Sequence, residues 1–138
     1  MKKGVEANPK NFAVRLRLAQ YLARTKDYAG SLKELDKALT AEPNNLSALQ
    51  AKAEVQAAKQ DFKGAESTIS RIKTAQPSNP LGYHRMGQLY VAQKKYDPAL
   101  REFEQALKLS PNPVEPLTAI VSTYLAQGKP DKAINRLN

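Results

Sequence analysis

Four prolines recur at intervals of 34 residues along this 138-residue chain, at Pro9, Pro43, Pro77 and Pro111. The same interval aligns four further sets of side chains that are similar in size. These are aromatic residues at Tyr28, Phe62 and Tyr96, small residues at Ser31, Ala65, Ala99 and Ala133, bulky apolar residues at Leu35, Ile69, Phe103 and Leu137, and mostly small residues at Ala19, Ala53, Gly87 and Val121. Such a period is the signature of a repeat architecture, in which each unit buries its apolar face against its neighbours.

Within each period the apolar residues have helical spacing. Leu18 and Leu22 are four residues apart, as are Met86 and Tyr90, so each pair lies on one helix face. Polar stretches interrupt this pattern once in each period, at residues 25–27, 59–61, 94–95 and 127–129. No useful length of the chain alternates with period two. The chain is therefore predicted to be all-α, with two helices in each period.

Proline and capping residues mark the predicted helix ends. The recurring prolines at 43, 77 and 111 end each second helix, because proline cannot continue the backbone ladder. Asn79, Asp97 and Asn112 each precede a proline, and we predict that they cap the helices that follow. Asp61 is also interpreted as a cap rather than as a metal ligand.

The third period carries the residues of a known signature, namely Tyr83, Met86, Gly87, Tyr90, Tyr96, Ala99, Phe103, Ala106 and Pro111. At these positions the chain resembles the tetratricopeptide repeat (TPR) family. The resemblance implies a right-handed α-solenoid of antiparallel helix pairs with a 34-residue period. It divides one continuous array into a tail of a preceding repeat or linker at 1–11, repeats at 12–45, 46–79 and 80–113, and a truncated repeat at 114–138. We expect a fragment of a longer array, whose cut ends can associate with another copy.

The second repeat departs from this pattern. Lys52 and Gln56 occupy columns that hold apolar side chains in the other repeats. The second repeat is therefore predicted to be the least stable unit, or else these side chains extend their stems toward solvent.

Composition argues against an enzyme. The chain has no cysteine and a single histidine, His84, which excludes disulfides, thiolate catalysis and a multi-histidine metal site. His84 has no second histidine or cysteine as a catalytic partner, and no glycine-rich phosphate loop is present. No apolar run is long enough to span a bilayer. We predict a non-catalytic chain without a cofactor or a metal.

The net charge of +9 raises the alternative of nucleic-acid binding. The excess is spread out: residues 1–43 carry nine basic and five acidic residues, and residues 112–138 carry three and two. Acidic residues are interleaved throughout, which is typical of a solvated surface rather than a basic binding block.

The TPR resemblance implies that the first helices of successive repeats line a concave binding groove. The predicted groove residues are Leu16, Arg17, Gln20, Arg24, Gln50, Glu54, Leu81, His84, Arg85, Gln88, Thr118 and Ser122. Amide and guanidinium groups predominate, and these groups suit peptide main chain and acidic side chains.

The resemblance also allows one specific partner to be tested. Chaperone-binding TPR domains hold a C-terminal carboxylate with lysine, asparagine and arginine side chains. The matching positions here are Leu16, Gln20, Ala51, Leu81 and Arg85, of which only Arg85 fits. Binding to the tails of Hsp70 or Hsp90 is therefore disfavoured.

The sequence favours a protein-interaction scaffold that binds a peptide or helix of a partner protein in this groove. RNA binding through the basic surface, and a spacer or self-association module, are the alternatives. Segments such as residues 41–45 and 75–80 are also similar to bacterial TPR lipoproteins of exopolysaccharide-associated PEP-CTERM systems. That similarity implies a periplasmic, envelope-anchored scaffold, and the alternative compartment is the cytoplasm.

Overall fold

A computed structural model describes residues 9–138, and these residues fold into eight helices without a strand. In chain order the helices are α1 (Pro9–Arg24), α2 (Tyr28–Ala41), α3 (Leu46–Ala58), α4 (Phe62–Ala75), α5 (Pro80–Ala92), α6 (Tyr96–Leu109), α7 (Val114–Ala126) and α8 (Pro130–Leu137). The prediction of an all-α chain built from helix pairs is confirmed. Of the segment assigned to the tail of a preceding repeat, residues 1–8 lie outside the described part of the chain.

The chain divides after Ile72 into two compact units, which we call unit 1 and unit 2. In unit 1, α1 packs against α2, and α3 packs against both. The core of unit 1 includes two clusters, one of Ala19, Leu35 and Val55 and one of Leu39, Ala48, Leu49 and Ile72. In unit 2, α5 packs against α6, α6 against α7, and α7 against α8, around a cluster of Ala99, Leu100, Phe103 and Ile120.

The same three-residue turn joins the two helices of every pair. Its middle residue has a left-handed backbone, with φ of 66° at Lys26, 63° at Gln60, 60° at Lys94 and 75° at Gly128. The N–H group of the next residue donates to the carbonyl five residues earlier, as Asp27 N does to Leu22 O at 2.8 Å. This Schellman pattern ends the first helix and reverses the chain. The turn thus recurs with the 34-residue period, although only its fourth copy uses glycine.

Two of the predicted helix caps are confirmed. Asn79 Oδ1 accepts a hydrogen bond from Leu81 N at 2.9 Å, and Pro80 is the first residue of α5. Asp61 Oδ1 accepts from Gly64 N at 3.0 Å at the start of α4. Both side chains satisfy backbone donors that lack a partner within the helix.

The predicted positions of the other two caps, Asp97 and Asn112, were wrong. Helix α6 begins at Tyr96, so Asp97 lies inside its first turn and accepts a hydrogen bond from Gln127 Nε2 at 2.9 Å. Asn112 Oδ1 accepts from Val114 N at 3.0 Å, but the residue at the cap position of α7 is Pro113. The three-residue turn determines where α6 begins, and a proline two residues into that helix does not move its start.

The polar residues in the apolar columns of the second repeat are not directed to solvent. Gln56 is only 9 % exposed, and its Oε1 accepts a hydrogen bond from Thr68 Oγ1 at 2.6 Å. Lys52 is half-buried, and its Nζ lies 2.9 Å from Asp36 Oδ1. Each polar group therefore has a partner within unit 1, which reduces the cost of burying it.

Candidate functional site

A cavity of about 360 Å³ opens in unit 1 between α1, α2 and α3. It is lined by Ala19, Gln20, Ala23, Arg24, Tyr28, Ser31, Ala51, Glu54, Val55 and Ala58. We call this the unit 1 pocket. Gln20, Arg24 and Glu54, all predicted groove residues, are exposed and form its rim. Ser31 lies at the buried floor, where its Oγ donates to Ala19 O at 2.7 Å.

The other groove residues predicted in this half of the chain lie outside the pocket. Leu16 is half-buried and packs against the cluster of Ala19, Leu35 and Val55. Arg17 is exposed on α1, and Gln50 is half-buried on α3, one turn before Glu54. Leu16 therefore contributes to packing, whereas Arg17 is accessible to solvent.

Unit 2 contains a cavity of about 280 Å³ between α5, α6 and α7. We call it the unit 2 pocket, and it is lined by Gln88, Val91, Phe103, Ala119, Ser122 and Thr123. Gln88 and Ser122 are exposed predicted groove residues, whereas Phe103 and Thr123 are buried.

The two pockets are built from the same repeat positions, two periods apart. Gln20, Ala51 and Val55 of the unit 1 pocket correspond to Gln88, Ala119 and Thr123 of the unit 2 pocket. The rims differ, because Glu54 of unit 1 corresponds to the uncharged Ser122 of unit 2. Equivalent packing of helix pairs thus produces a recurring pocket, with a charged rim in unit 1 and an uncharged one in unit 2.

His84 lies in a separate cavity of about 290 Å³ in unit 2. Its side chain is 13 % exposed, with Nε2 3.2 Å from Glu115 Oε1 and the ring centroid 5.4 Å from that of Phe103. Burial lowers the pKa of His84, the Glu115 carboxylate acts to raise it, and the Arg85 guanidinium lowers it. The net effect places the pKa of His84 below its ordinary value, because the cost of burying the charged imidazolium is the largest of these influences.

The remaining predicted residues of unit 2 are dispersed. Leu81 lines the cavity of His84. Arg85 Nη1 donates to Gln88 Oε1 at 3.3 Å, which places a guanidinium beside the unit 2 pocket. Thr118 Oγ1 donates to Val114 O of its own helix at 2.7 Å, so its hydroxyl proton is already used.

Sequence reasoning missed Glu115 as the partner of His84, and it missed Asn79 and Ser110 in the lining of the same cavity. The two partners lie 31 positions apart, three short of the period, so aligning equivalent positions cannot pair them. One sequence feature points to Glu115: it is an acidic residue in the first turn of α7, which is the first helix of the repeat that follows the one containing His84.

Across residues 9–138, no three histidine, cysteine or acidic side chains are grouped so that they could hold a metal ion. No helix within these residues is both long enough and apolar enough to cross a membrane.

No curated protein matches the sequence. Among solved structures, MamA residues 41 to the end from Desulfovibrio magneticus RS-1 matches with a TM-score of 0.73 and 18 % identity, covering 95 % of this chain and 72 % of that one. A crystal structure of MamA gives a TM-score of 0.74 and 18 % identity, covering 98 % and 79 %. MamA AMB-1 gives a TM-score of 0.66 and 22 % identity, covering 91 % and 69 %. At these identities the matches show a shared fold.

Two family models match the sequence, and both describe the tetratricopeptide repeat. One matches residues 22–89 and the other residues 80–113. The similarity to PEP-CTERM lipoproteins finds no support in these comparisons. The models and the helix pairs agree on the assignment: the chain belongs to the tetratricopeptide repeat family, whose members are in general non-catalytic protein-interaction scaffolds.

Proposed function

We propose that this chain binds a peptide or helix of a partner protein along the first helices of its repeats, with the unit 1 pocket as the main anchor. The observation that carries the proposal is the recurrence of the pocket at equivalent positions of both units. Repeat proteins commonly use such recurring surfaces to bind extended partners. The division into repeats at 12–45, 46–79, 80–113 and 114–138 belongs to this proposal.

The chemistry of the pockets supports an amphipathic occupant. Alanine and valine side chains line the unit 1 pocket, which leaves room for an apolar side chain of the partner. Its volume is near the lower end of the roughly 300–1,000 Å³ of small-molecule sites. On the rim, Arg24 can pair with a carboxylate, Gln20 can hydrogen-bond to peptide main chain, and Glu54 can accept from a donor.

One arginine of each unit, Arg17 and Arg85, lies outside the pocket lining. Arg17 is exposed on α1, and Arg85 is held beside the unit 2 pocket by its hydrogen bond to Gln88. Guanidinium groups at these positions favour a partner segment that carries acidic side chains.

The test is a pull-down with the immobilised chain, run in parallel from bacterial envelope and cytosolic extracts. The triple variant Gln20→Ala/Arg24→Ala/Glu54→Ala removes the rim of the unit 1 pocket. The matched control Lys33→Ala/Lys63→Ala changes exposed positions of α2 and α4 that do not line this pocket. We expect a protein that is retained by the unmodified chain and by the control but lost from the triple variant.

Other outcomes separate the alternatives. Recovery of nucleic acid that dissociates at modest salt would overturn the proposal in favour of RNA binding, since phosphate contacts are strongly salt-dependent. Equal retention by the triple variant and the control would place binding outside the pocket. The extract that supplies the partner tests the predicted bacterial envelope location against the cytoplasmic one.

A further inference from the structure

The cavity that contains His84 differs in charge from the unit 1 and unit 2 pockets, and we call it the His84 cavity. It lies within unit 2, among the start of α5, the end of α6 and the start of α7. None of the described residues that line it is a lysine or an arginine, whereas Glu115 brings a carboxylate. The chain as a whole carries 22 basic and 13 acidic residues. The His84 cavity is thus a negatively charged site on a basic protein.

The Glu115 carboxylate is placed to receive a positive charge. Its Oε1 lies 3.2 Å from His84 Nε2, and because the side chain is 79 % exposed, Oε2 remains accessible to a ligand. Burial lowers the pKa of His84, which favours the uncharged imidazole and leaves the charge of Glu115 without compensation from this neighbour. Because Oε1 already contacts His84, a compact ammonium group fits better than a guanidinium that needs both oxygens.

The end of α6 also favours a cation. Ser110 Oγ donates to Ala106 O at 2.8 Å, so towards a ligand this hydroxyl can only accept. Ser110 directly follows the last residue of α6, which is the negative end of the helix dipole. Lys108, the basic residue in this last turn, is exposed and does not line the cavity.

Two helix N-termini meet the cavity, and N-termini favour anions when their N–H groups are free. Here several of these groups are absent or already used. At the start of α5, Pro80 has no N–H, and Leu81 N donates to its cap residue at 2.9 Å. At the start of α7, Val114 N donates to Asn112 Oδ1 at 3.0 Å, and Pro116 has no N–H. Binding of an anion is therefore disfavoured.

Apolar side chains form the rest of the wall, namely Pro80, Leu81, Ala106, Pro111 and Pro116. Proline rings lose no rotamer freedom when a ligand packs on them. The volume of about 290 Å³ is close to the lower limit of roughly 300 Å³ for small-molecule sites, which suits a single side chain. An aliphatic chain that ends in a positive charge matches both the wall and the carboxylate.

We propose that the His84 cavity binds a lysine side chain of a partner protein, with the ammonium group at Glu115 Oε2 and the methylene groups against the proline wall. This site is separate from the unit 1 and unit 2 pockets, and the inference does not rest on the proposed function.

The test is a titration of the isotope-labelled whole chain with N-acetyl-lysine methylamide at constant ionic strength, followed by NMR of the backbone amides. N-acetyl-norleucine methylamide is the matched probe without the ammonium group, and N-acetyl-arginine methylamide replaces it by a guanidinium. The variant Glu115→Gln removes the charge at constant size. The control Asp131→Asn removes an exposed carboxylate of α8 that does not line the cavity. Circular dichroism checks that both variants are folded.

We expect the lysine probe to cause saturable shifts at the amides of Leu81, Ser110 and Glu115, and the norleucine probe to cause none. Glu115→Gln should weaken binding of the lysine probe about two- to fivefold, as expected for an exposed ion pair. Asp131→Asn should bind as the unmodified chain does. The arginine probe should bind no more tightly than the lysine probe.

Four results would overturn the proposal. The lysine probe could leave these three amides without saturable shifts. The norleucine probe could bind equally well, which would make the cavity an apolar site. The folded Glu115→Gln variant could bind as well as the control, which would place the ammonium group elsewhere. Tighter binding of the arginine probe would contradict the choice of lysine.

Discussion

The helix pairs α3–α4 and α5–α6 have the same lengths, 13 and 14 residues, yet they fill equivalent positions with different chemistry. Two core positions of the first pair are occupied by Ala53 and Ile69. The equivalent positions of the second pair, 34 residues later, are occupied by Gly87 and Phe103. A Cβ atom on Gly87 would lie 2.5 Å from Phe103 Cε1. The larger ring is accommodated because the facing residue has no side chain.

A second pair of positions differs in polarity. Gln56 and Thr68 form a buried hydrogen bond in unit 1. The equivalent residues of unit 2 are Tyr90, which packs against the core cluster, and Glu102, which accepts a hydrogen bond from Lys73 Nζ at 2.9 Å. The space between two paired helices is thus filled differently in each repeat. In one case the sizes of facing residues match, and in another two buried polar side chains form a hydrogen bond.

The largest expected effect comes from Gly87→Ala. The added methyl group clashes with the Phe103 ring and should lower the free energy of unfolding by about 1–3 kcal/mol. In a Phe103→Leu background the same change should cost less than half as much, since Ala53 is tolerated opposite Ile69. Urea unfolding of the four proteins measures the coupling. Equal costs in both backgrounds would show that glycine is required for another reason.

Breaking the polar pair should have a somewhat smaller effect. Thr68→Val removes the donor to Gln56 Oε1 and leaves this buried oxygen unsatisfied, at a cost of about 1–2 kcal/mol. Adding Gln56→Leu should restore most of the stability, because both partners are then apolar. Thr40→Val is the control, since the Thr40 hydroxyl is exposed and bonds only within its helix. Chemical denaturation would disprove the pairing if the double variant were less stable than Thr68→Val.

A smaller effect is expected at the left-handed middle residues of the three-residue turns, which are Gly128 in one turn and Lys94 in another. Gly128 has φ of 75° and open space around its Cβ position, so Gly128→Ala should cost about 1 kcal/mol through backbone strain alone. Lys94 already bears that strain at φ of 60°, and Lys94→Gly should stabilise unit 2 by about 0.5 kcal/mol. Thermal melting of both variants checks the opposite signs, and a shift in the same direction would refute the argument.

The smallest effect is a dependence of stability on pH that arises from His84 and has no counterpart in unit 1. Its pKa in the folded protein is lowered, so the unfolded chain binds a proton first as the pH falls. Stability should therefore begin to decline near pH 6.5 and stop declining below the folded pKa. His84→Gln should remove this decline in melting temperature between neutral and mildly acidic pH, while an unchanged decline would assign it to other groups.

Part of the lining of the two pockets could be predicted from repeat positions. Five of the twelve predicted groove residues line one of the two pockets, namely Gln20, Arg24, Glu54, Gln88 and Ser122. Such positions are transferable because equivalent helices expose equivalent faces. The contacts of individual side chains are less transferable, since rotamers and neighbouring residues differ from one repeat to the next.

Periodic features of the sequence specify the helix pairs, the turns between them and the columns of small and large residues. These features depend on local backbone preferences and on contacts that recur every 34 residues, and both are visible as periodicity. Helix packing produces three contacts that the period does not indicate: Glu115 lies next to His84, Gln56 is buried against Thr68, and Leu16 packs against the core. These contacts join positions that are not equivalent, so their partners depend on how the helices pack rather than on the period.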